Sequence, residues 1–257
     1  MKINRTHPVI KFSSHPAVLS VWAAVVAAGY LLPTFPILGT GSHFTLANVL
    51  NPLSGIFFGP LGGAVCSAAG GFVGFLIAPV KPMLGPASFV IGMTTAFTAG
   101  CIAWSRGFPI SISKDGNFIF NGAIIIYLIG TILWFTQEIG RSIIRFPLIY
   151  YGLGFSVMIA GFIFARRFLL SKNMLLKFIA VWICSFAGLI GGASIGNFLS
   201  LVLFKLPREV WMMLTIAAPV ERLIFALVAM LAGAPLLAGL NKIGVFVGPM
   251  EDESDEN

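Results

Sequence analysis

Charge is what this 257-residue sequence lacks: only 10% of its residues are Asp, Glu, Lys or Arg, and 58% are hydrophobic. Soluble domains carry roughly 25% charged residues, because water-facing surface has to be hydrated. A soluble globular fold, a disordered chain and a coiled coil are therefore excluded. Cysteine is scarce as well. Cys66, Cys101 and Cys184 are an odd number, lie in apolar runs and form no CxxC pair. That excludes a disulfide framework and a zinc ribbon and leaves them as small buried side chains. The three histidines, His7, His15 and His43, do not cluster. HExxH and GxxxxGK[ST] are missing, which removes zinc protease and P-loop ATPase chemistry.

Acid is short too. Five of the nine acidic residues (Glu251, Asp252, Glu253, Asp255 and Glu256) fall in the last seven positions. The body holds Asp115, Glu138, Glu209 and Glu221 against all 16 basic residues. In a soluble chain this imbalance would suggest nucleic acid. Here the basic residues flank apolar runs, so they read as topology signals.

What is present is hydrophobic length. With a mean hydropathy of +0.96, the chain breaks into runs at 17–32, 45–57, 61–78, 87–104, 118–137, 146–165, 178–204 and 219–240. A bilayer span needs about 20 apolar residues, with about 17–25 usable. The run at 45–57 is short and carries Asn48, Asn51 and Pro52. The first run is not read as a cleaved signal peptide, since a long basic region precedes it and more spans follow. Residues 105–117 form a polar break containing Lys114-Asp115-Gly116-Asn117, which is turn chemistry. The expectation is an all-α, polytopic transmembrane helical bundle of about eight membrane segments: a 1–16 tail, one domain over 17–242 and an acidic 243–257 tail.

With the N-terminus inside, one side holds Lys2, Arg5, Lys11, Arg106, Lys114, Arg166, Arg167, Lys172, Lys177 and Lys242. The other holds Lys81, Arg141, Arg145, Lys205 and Arg208. The positive-inside bias predicts both termini in the cytoplasm of a plasma-membrane protein.

Small residues recur at four-residue spacing: Ala23/Ala27 and Ala24/Ala28, then Gly55 to Gly71, then Gly188, Gly192, Gly196 and Ser200. Such ridges allow close helix approach, within one bundle or against another subunit. Ionisable groups at membrane depth are costly and so informative. Glu221 and Arg222 follow Pro219, read here as the start of the last span, where a carboxylate suits the helix dipole and a cation opposes it. Arg222 therefore needs a carboxylate, in the protein or on a ligand. Asn197 serves a helix contact or a substrate, and Trp211 an interfacial anchor or a pocket wall. Glu138, Arg141 and Arg145 read as an outer-loop charge cluster of small energetic value. Two Pro-rich loops, one carrying His43, Asn48 and Asn51 and one carrying Lys81, are stiff enough to act as lids.

Two resemblances follow. Gln137-Glu138-Ile139-Gly140-Arg141 is faintly similar to the Glu/Arg motif of CAAX-type membrane proteases, but those enzymes need histidines on later helices and none follows His43. More of the chain resembles the substrate-binding S components of energy-coupling factor (ECF) transporters. Gly59-Pro60-Leu61-Gly62-Gly63-Ala64 looks like their turn between the second and third helices, and Ala23/Ala24/Ala27/Ala28 like their docking surface. A Gly-rich helix, the loop 204–211 and Pro219-Val220-Glu221-Arg222 are similar to their C-terminal end. The resemblance implies a six-helix core, with 118–165 as an inserted pair. It implies a non-enzymatic subunit without a cofactor that captures a vitamin-like or other small molecule. Partners would be a transmembrane coupling subunit, two cytoplasmic ATPases and the lipid bilayer, with no nucleic acid. It places the pocket on the outer side at His43, Asn48, Lys81, Asn197, Trp211, Glu221 and Arg222. A self-sufficient secondary transporter would instead call for coupling carboxylates at mid-membrane and often inverted repeats, neither of which the sequence displays. A structural or assembly protein is the third alternative.

Overall fold

The computed structural model describes residues 15–36, 43–78, 85–105, 110–112 and 118–250. It is an all-helical bundle with two small β-hairpins. The helices are α1 (Pro16–Leu31), α2 (Ala47–Ile77), α3 (Ser88–Ala103), α4 (Gly122–Thr136), α5 (Glu138–Ser142), α6 (Arg145–Leu170), α7 (Met174–Phe204) and α8 (Arg208–Lys242). Strands β1 (Pro33–Pro36) and β2 (His43–Thr45) pair antiparallel between α1 and α2, and β3 (Ile110–Ile112) and β4 (Phe118–Phe120) pair between α3 and α4. Among the described residues four helices, α2, α6, α7 and α8, are long and apolar enough to cross a membrane, and α1, α3 and α4 are shorter apolar helices. The protein is a multi-pass membrane bundle.

Helix α2 is in fact two antiparallel arms. Gly59 leaves helical geometry (φ 78°, ψ 177°), and Pro60, which has no N–H, opens the next arm. A Cβ placed on Gly63 would lie 2.5 Å from Gly55 Cα, whereas eight residues along a straight helix are about 12 Å apart. The chain has folded back on itself. The small-residue series Gly55, Gly59, Gly63 is what lets the two backbones touch, so this ridge is spent inside the protein. The first arm is almost wholly buried, with residues 51–59 all in the core. A short apolar run that would be an awkward lipid span is comfortable as a core helix.

Around this arm the neighbours are fixed by named contacts. Trp22 Nε1–H donates to Ser54 Oγ (2.7 Å), and its ring meets Phe57 and Phe58 edge-on. The Cys66 thiol donates to the Leu19 carbonyl (3.4 Å), and Gly70 and Gly74 lie against Val26 and Tyr30 of α1. Helix α3 runs beside both arms, with Gly92 over Asn51 and Gly100 over Pro60. Helix α7 then packs on α3 through Gly188, Gly192 and Gly196, each with α3 atoms where a side chain would be. Among the described residues, successive helices alternate in direction, giving eight passes along the bundle when the arms of α2 are counted separately. The described chain begins and ends at the Gly59 end of the bundle.

Three sequence expectations change. Residues 118–120 are not the start of a span. They form β4, and α4 begins at Gly122 behind Asn121, whose side chain accepts from the Ala123 N–H at 3.0 Å. The last span does not start at Pro219. Helix α8 opens eleven residues earlier behind Pro207, with Glu209 in its first turn, and Pro219 and Pro235 lie inside it. The dipole argument for Glu221 and against Arg222 therefore does not apply. Membrane helices tolerate such prolines because neighbouring helices hold the segment. Finally, 243–250 is no free tail. Val247 is buried, the Gly248 N–H donates to the Phe57 carbonyl (2.9 Å) and an Arg166 N–H donates to the Met250 carbonyl (3.1 Å).

Candidate functional site

At the end opposite the termini, three parts of the chain converge: β2, the start of α6 and the first half of α8. Helix α8 turns a stripe inward at Trp211, Thr215, Ala218, Arg222, Phe225 and Ala229, the i, i+3, i+4 spacing of one helical face. Arg222 sits on this stripe, half-buried. Its Nε–H donates to the Tyr150 hydroxyl (3.2 Å), and its guanidinium lies 4.9 Å from the centre of the Phe44 ring. Phe44 also meets Phe225 edge-on at 5.4 Å. Among the described residues, Arg222 is thus held by a phenol and a π face and by no carboxylate. A cation–π contact contributes about 0.5–2 kcal/mol and leaves the net charge in place.

Tyr150 belongs to an aromatic column. Trp134 stacks on Phe146 (4.7 Å, 19°), and Phe146 stacks on Tyr150 (5.2 Å, 20°). Trp211 closes the column edge-on against Trp134 (5.0 Å) and Phe146 (5.4 Å). The turn from α4 to α5 wraps round Trp134, whose Nε1–H donates to the Gly140 carbonyl (2.9 Å). Trp211 has no such outlet: its Nε1 is buried without a hydrogen-bond partner. Beside the column, the Asn197 amide donates to the Tyr151 hydroxyl (3.3 Å).

Of the residues singled out from the sequence, Arg222, Asn197 and Trp211 all meet this aromatic group. Trp211 lies eleven residues before Arg222, about 16 Å along the helix, so one small ligand reaches both only when aligned with α8. Glu221 is half-buried at the edge of the stripe. His43 is exposed; neighbouring strand residues face opposite ways, and it is Phe44 that faces Arg222. Asn48 donates its amide to the Thr45 carbonyl (3.2 Å), tying β2 to the start of α2. Lys81 lies outside the described residues. Sequence reasoning missed Phe44, Trp134, Phe146, Tyr150 and Tyr151. The only signal was local aromatic density, in Trp134-Phe135 and Tyr150-Tyr151.

The alanine ridge of α1 is divided. Ala27 is buried and Ala23 half-buried against the second arm of α2, where Gly70 and Gly74 meet the carbonyls of Ala23 and Ala27. Ala24 and Ala28 are exposed, beside exposed Val21 and Val25.

Fold and site define a polytopic helical membrane protein with one half-buried arginine in an aromatic setting. Comparison of the chain with protein families, with curated proteins and with solved structures finds no match.

Proposed function

We propose that this protein is the membrane-embedded capture subunit of an ECF-type importer, binding a small molecule with an anionic group and passing it inward with a coupling subunit and two ATPases. The observation that carries the reading is Arg222, a half-buried cation without a carboxylate partner among the described residues, covered by Phe44 from the first loop. A buried charge is costly until it is paired, so a ligand carboxylate or phosphate would satisfy it. Trp211 Nε1, buried and unpartnered, offers one further donor higher on the same helix.

The architecture supports the same reading. Without 118–165 the chain comprises α1, the two arms of α2, α3, α7 and α8, six segments in which α7 lies directly on α3. The proposal departs from a six-helix scheme in one respect: Tyr150 and the aromatic column come from the extra pair, so α4 and α6 form a wall of the site. Docking of the coupling subunit is assigned to Ala24 and Ala28, since Ala23 and Ala27 are engaged within the bundle.

The test begins with native mass spectrometry of the detergent-purified protein, to identify a co-purified small molecule. Titration of that molecule into Arg222→Ala should then show roughly ten- to a hundredfold weaker binding, the loss of one charge-assisted hydrogen bond. Glu221→Gln should match it only if Glu221 meets the ligand. Undiminished affinity in Arg222→Ala would reject the site.

A further inference from the structure

On the outside of the bundle, α4 and α6 leave an apolar groove of about 380 Å³ between them. Leu128 and Thr131 form one wall and Leu148, Gly152 and Phe155 the other, with Tyr151 at the base. Nothing polar is on offer inside it. The Thr131 hydroxyl donates to the Tyr127 carbonyl of its own helix (2.8 Å), and the Tyr151 hydroxyl already accepts from Asn197. At Gly152 a Cβ would meet no atom within 4 Å, so the space beside α6 is open. Leu148 is 72% exposed, which in a membrane bundle means exposed to lipid.

Length and charge together specify the occupant. The groove's lining along α6 runs from its N-cap Ile144 to Phe155, about 16 Å along the helix axis. That is half of a hydrocarbon core of about 30 Å, the depth of one leaflet. Next to its Ile144 end the chain carries two cations. Arg145 stands at i, i+3 and i+7 with Leu148 and Gly152, on the rim of the same stripe, and Arg141 lies four residues earlier, on α5. Both arginines are exposed, and among the described residues the one acid on α5 is Glu138. We propose that this groove holds one acyl chain of an anionic phospholipid, with the headgroup phosphate on Arg141 and Arg145. The apolar depth takes the chain, and the two guanidiniums select the headgroup over a zwitterionic one.

The full-length protein in mixed micelles would be offered phosphatidylglycerol and phosphatidylcholine with identical chains, and retained lipid counted by native mass spectrometry. The wild type should keep phosphatidylglycerol preferentially. Arg141→Ala with Arg145→Ala, both solvent-side changes that leave the core intact, should lower that preference by roughly thirtyfold, taking about 1 kcal/mol per cation and 1.4 kcal/mol per tenfold. Gly152→Phe should fill the groove and abolish retention of both lipids. Equal retention of the two lipids by the wild type would overturn the proposal, as would an unchanged preference in the double-arginine variant. A stoichiometric second protein copy displaced only by Gly152→Phe would overturn it equally, by assigning the face to self-association.

Discussion

Replacing Gly63 by alanine adds one methyl group where the two arms of α2 touch. That methyl carbon would sit 2.5 Å from Gly55 Cα and 2.6 Å from Gly55 N, against about 3.5–4.0 Å for ordinary carbon contacts. Both obstructing atoms are backbone, so no rotamer change relieves them. The arms must part by about 1 Å. That strains the Trp22–Ser54 hydrogen bond and the packing of Cys66 on α1. Overpacking costs about 1–3 kcal/mol, and the backbone contact puts this site at the upper end. Alanine's better helix propensity returns about 1 kcal/mol. The net is about 2 kcal/mol, or about 4–8 °C in Tm for a chain of this size. The control is Gly239→Ala on α8, where the added Cβ meets nothing within 4 Å. There only the propensity gain operates, and Tm should hold or rise by about 1–4 °C. Thermal unfolding in detergent, read by a thiol-reactive dye on the buried Cys66, Cys101 and Cys184, measures both variants. A Gly63→Ala protein melting level with the wild type or above it would show that the arms do not fold back at Gly59.

Further expectations follow from single contacts. Lys205 caps α7 with a left-handed backbone (φ 46°), so Lys205→Gly should stabilise the protein by about 1 kcal/mol in the same melting assay. Ala24→Leu with Ala28→Leu should leave a folded, ligand-binding protein that no longer co-purifies with a coupling subunit; retained assembly would return this face to lipid contact. Cysteines placed at Arg141 and at Lys172 should label from opposite sides of the membrane, because α6 separates them, and labelling from one side would refute the alternating passes. Phe44→Ala should weaken ligand binding while sparing the fold, since Phe44 is only partly buried over Arg222. A melting temperature lowered as far as in Gly63→Ala would mark it as structural instead.

The segment count was legible because hydrophobic length and polar breaks are local properties. Even the short run at 45–57 was separated correctly from 61–78, with Gly59-Pro60 between them. Where the reading failed, composition was ambiguous. Phe118-Ile119-Phe120 is as apolar as any span, and its pairing with 110–112 depends on a partner six to ten residues back that carries no helical periodicity. At the last helix, Pro219 reads as a start signal, while the true start, Pro207 with Glu209 behind it, resembles a charged loop. The site was legible only as far as charge is conspicuous. Arg222 stands out in an apolar run, but the Trp134–Phe146–Tyr150 column joins segments whose proximity is a tertiary fact, and Phe44 was overshadowed by its neighbour His43.

The buried first arm of α2 also constrains how the chain enters a membrane. With Asn51 inside it and about 18 Å of helix to its length, this arm makes a poor independent insertion unit. Its natural companion is the second arm, to which Gly59-Pro60 ties it without a loop. The two would leave the translocation machinery as one closed hairpin, shielded on one side by α1, already synthesised, through Trp22 and Ser54. The other side stays uncovered until α3 arrives. A nascent chain halted between residues 78 and 88 lacks the α3 face, Gly92 above all, that covers Asn51, and leaves its carboxamide with only the Tyr30 hydroxyl of α1 beside it.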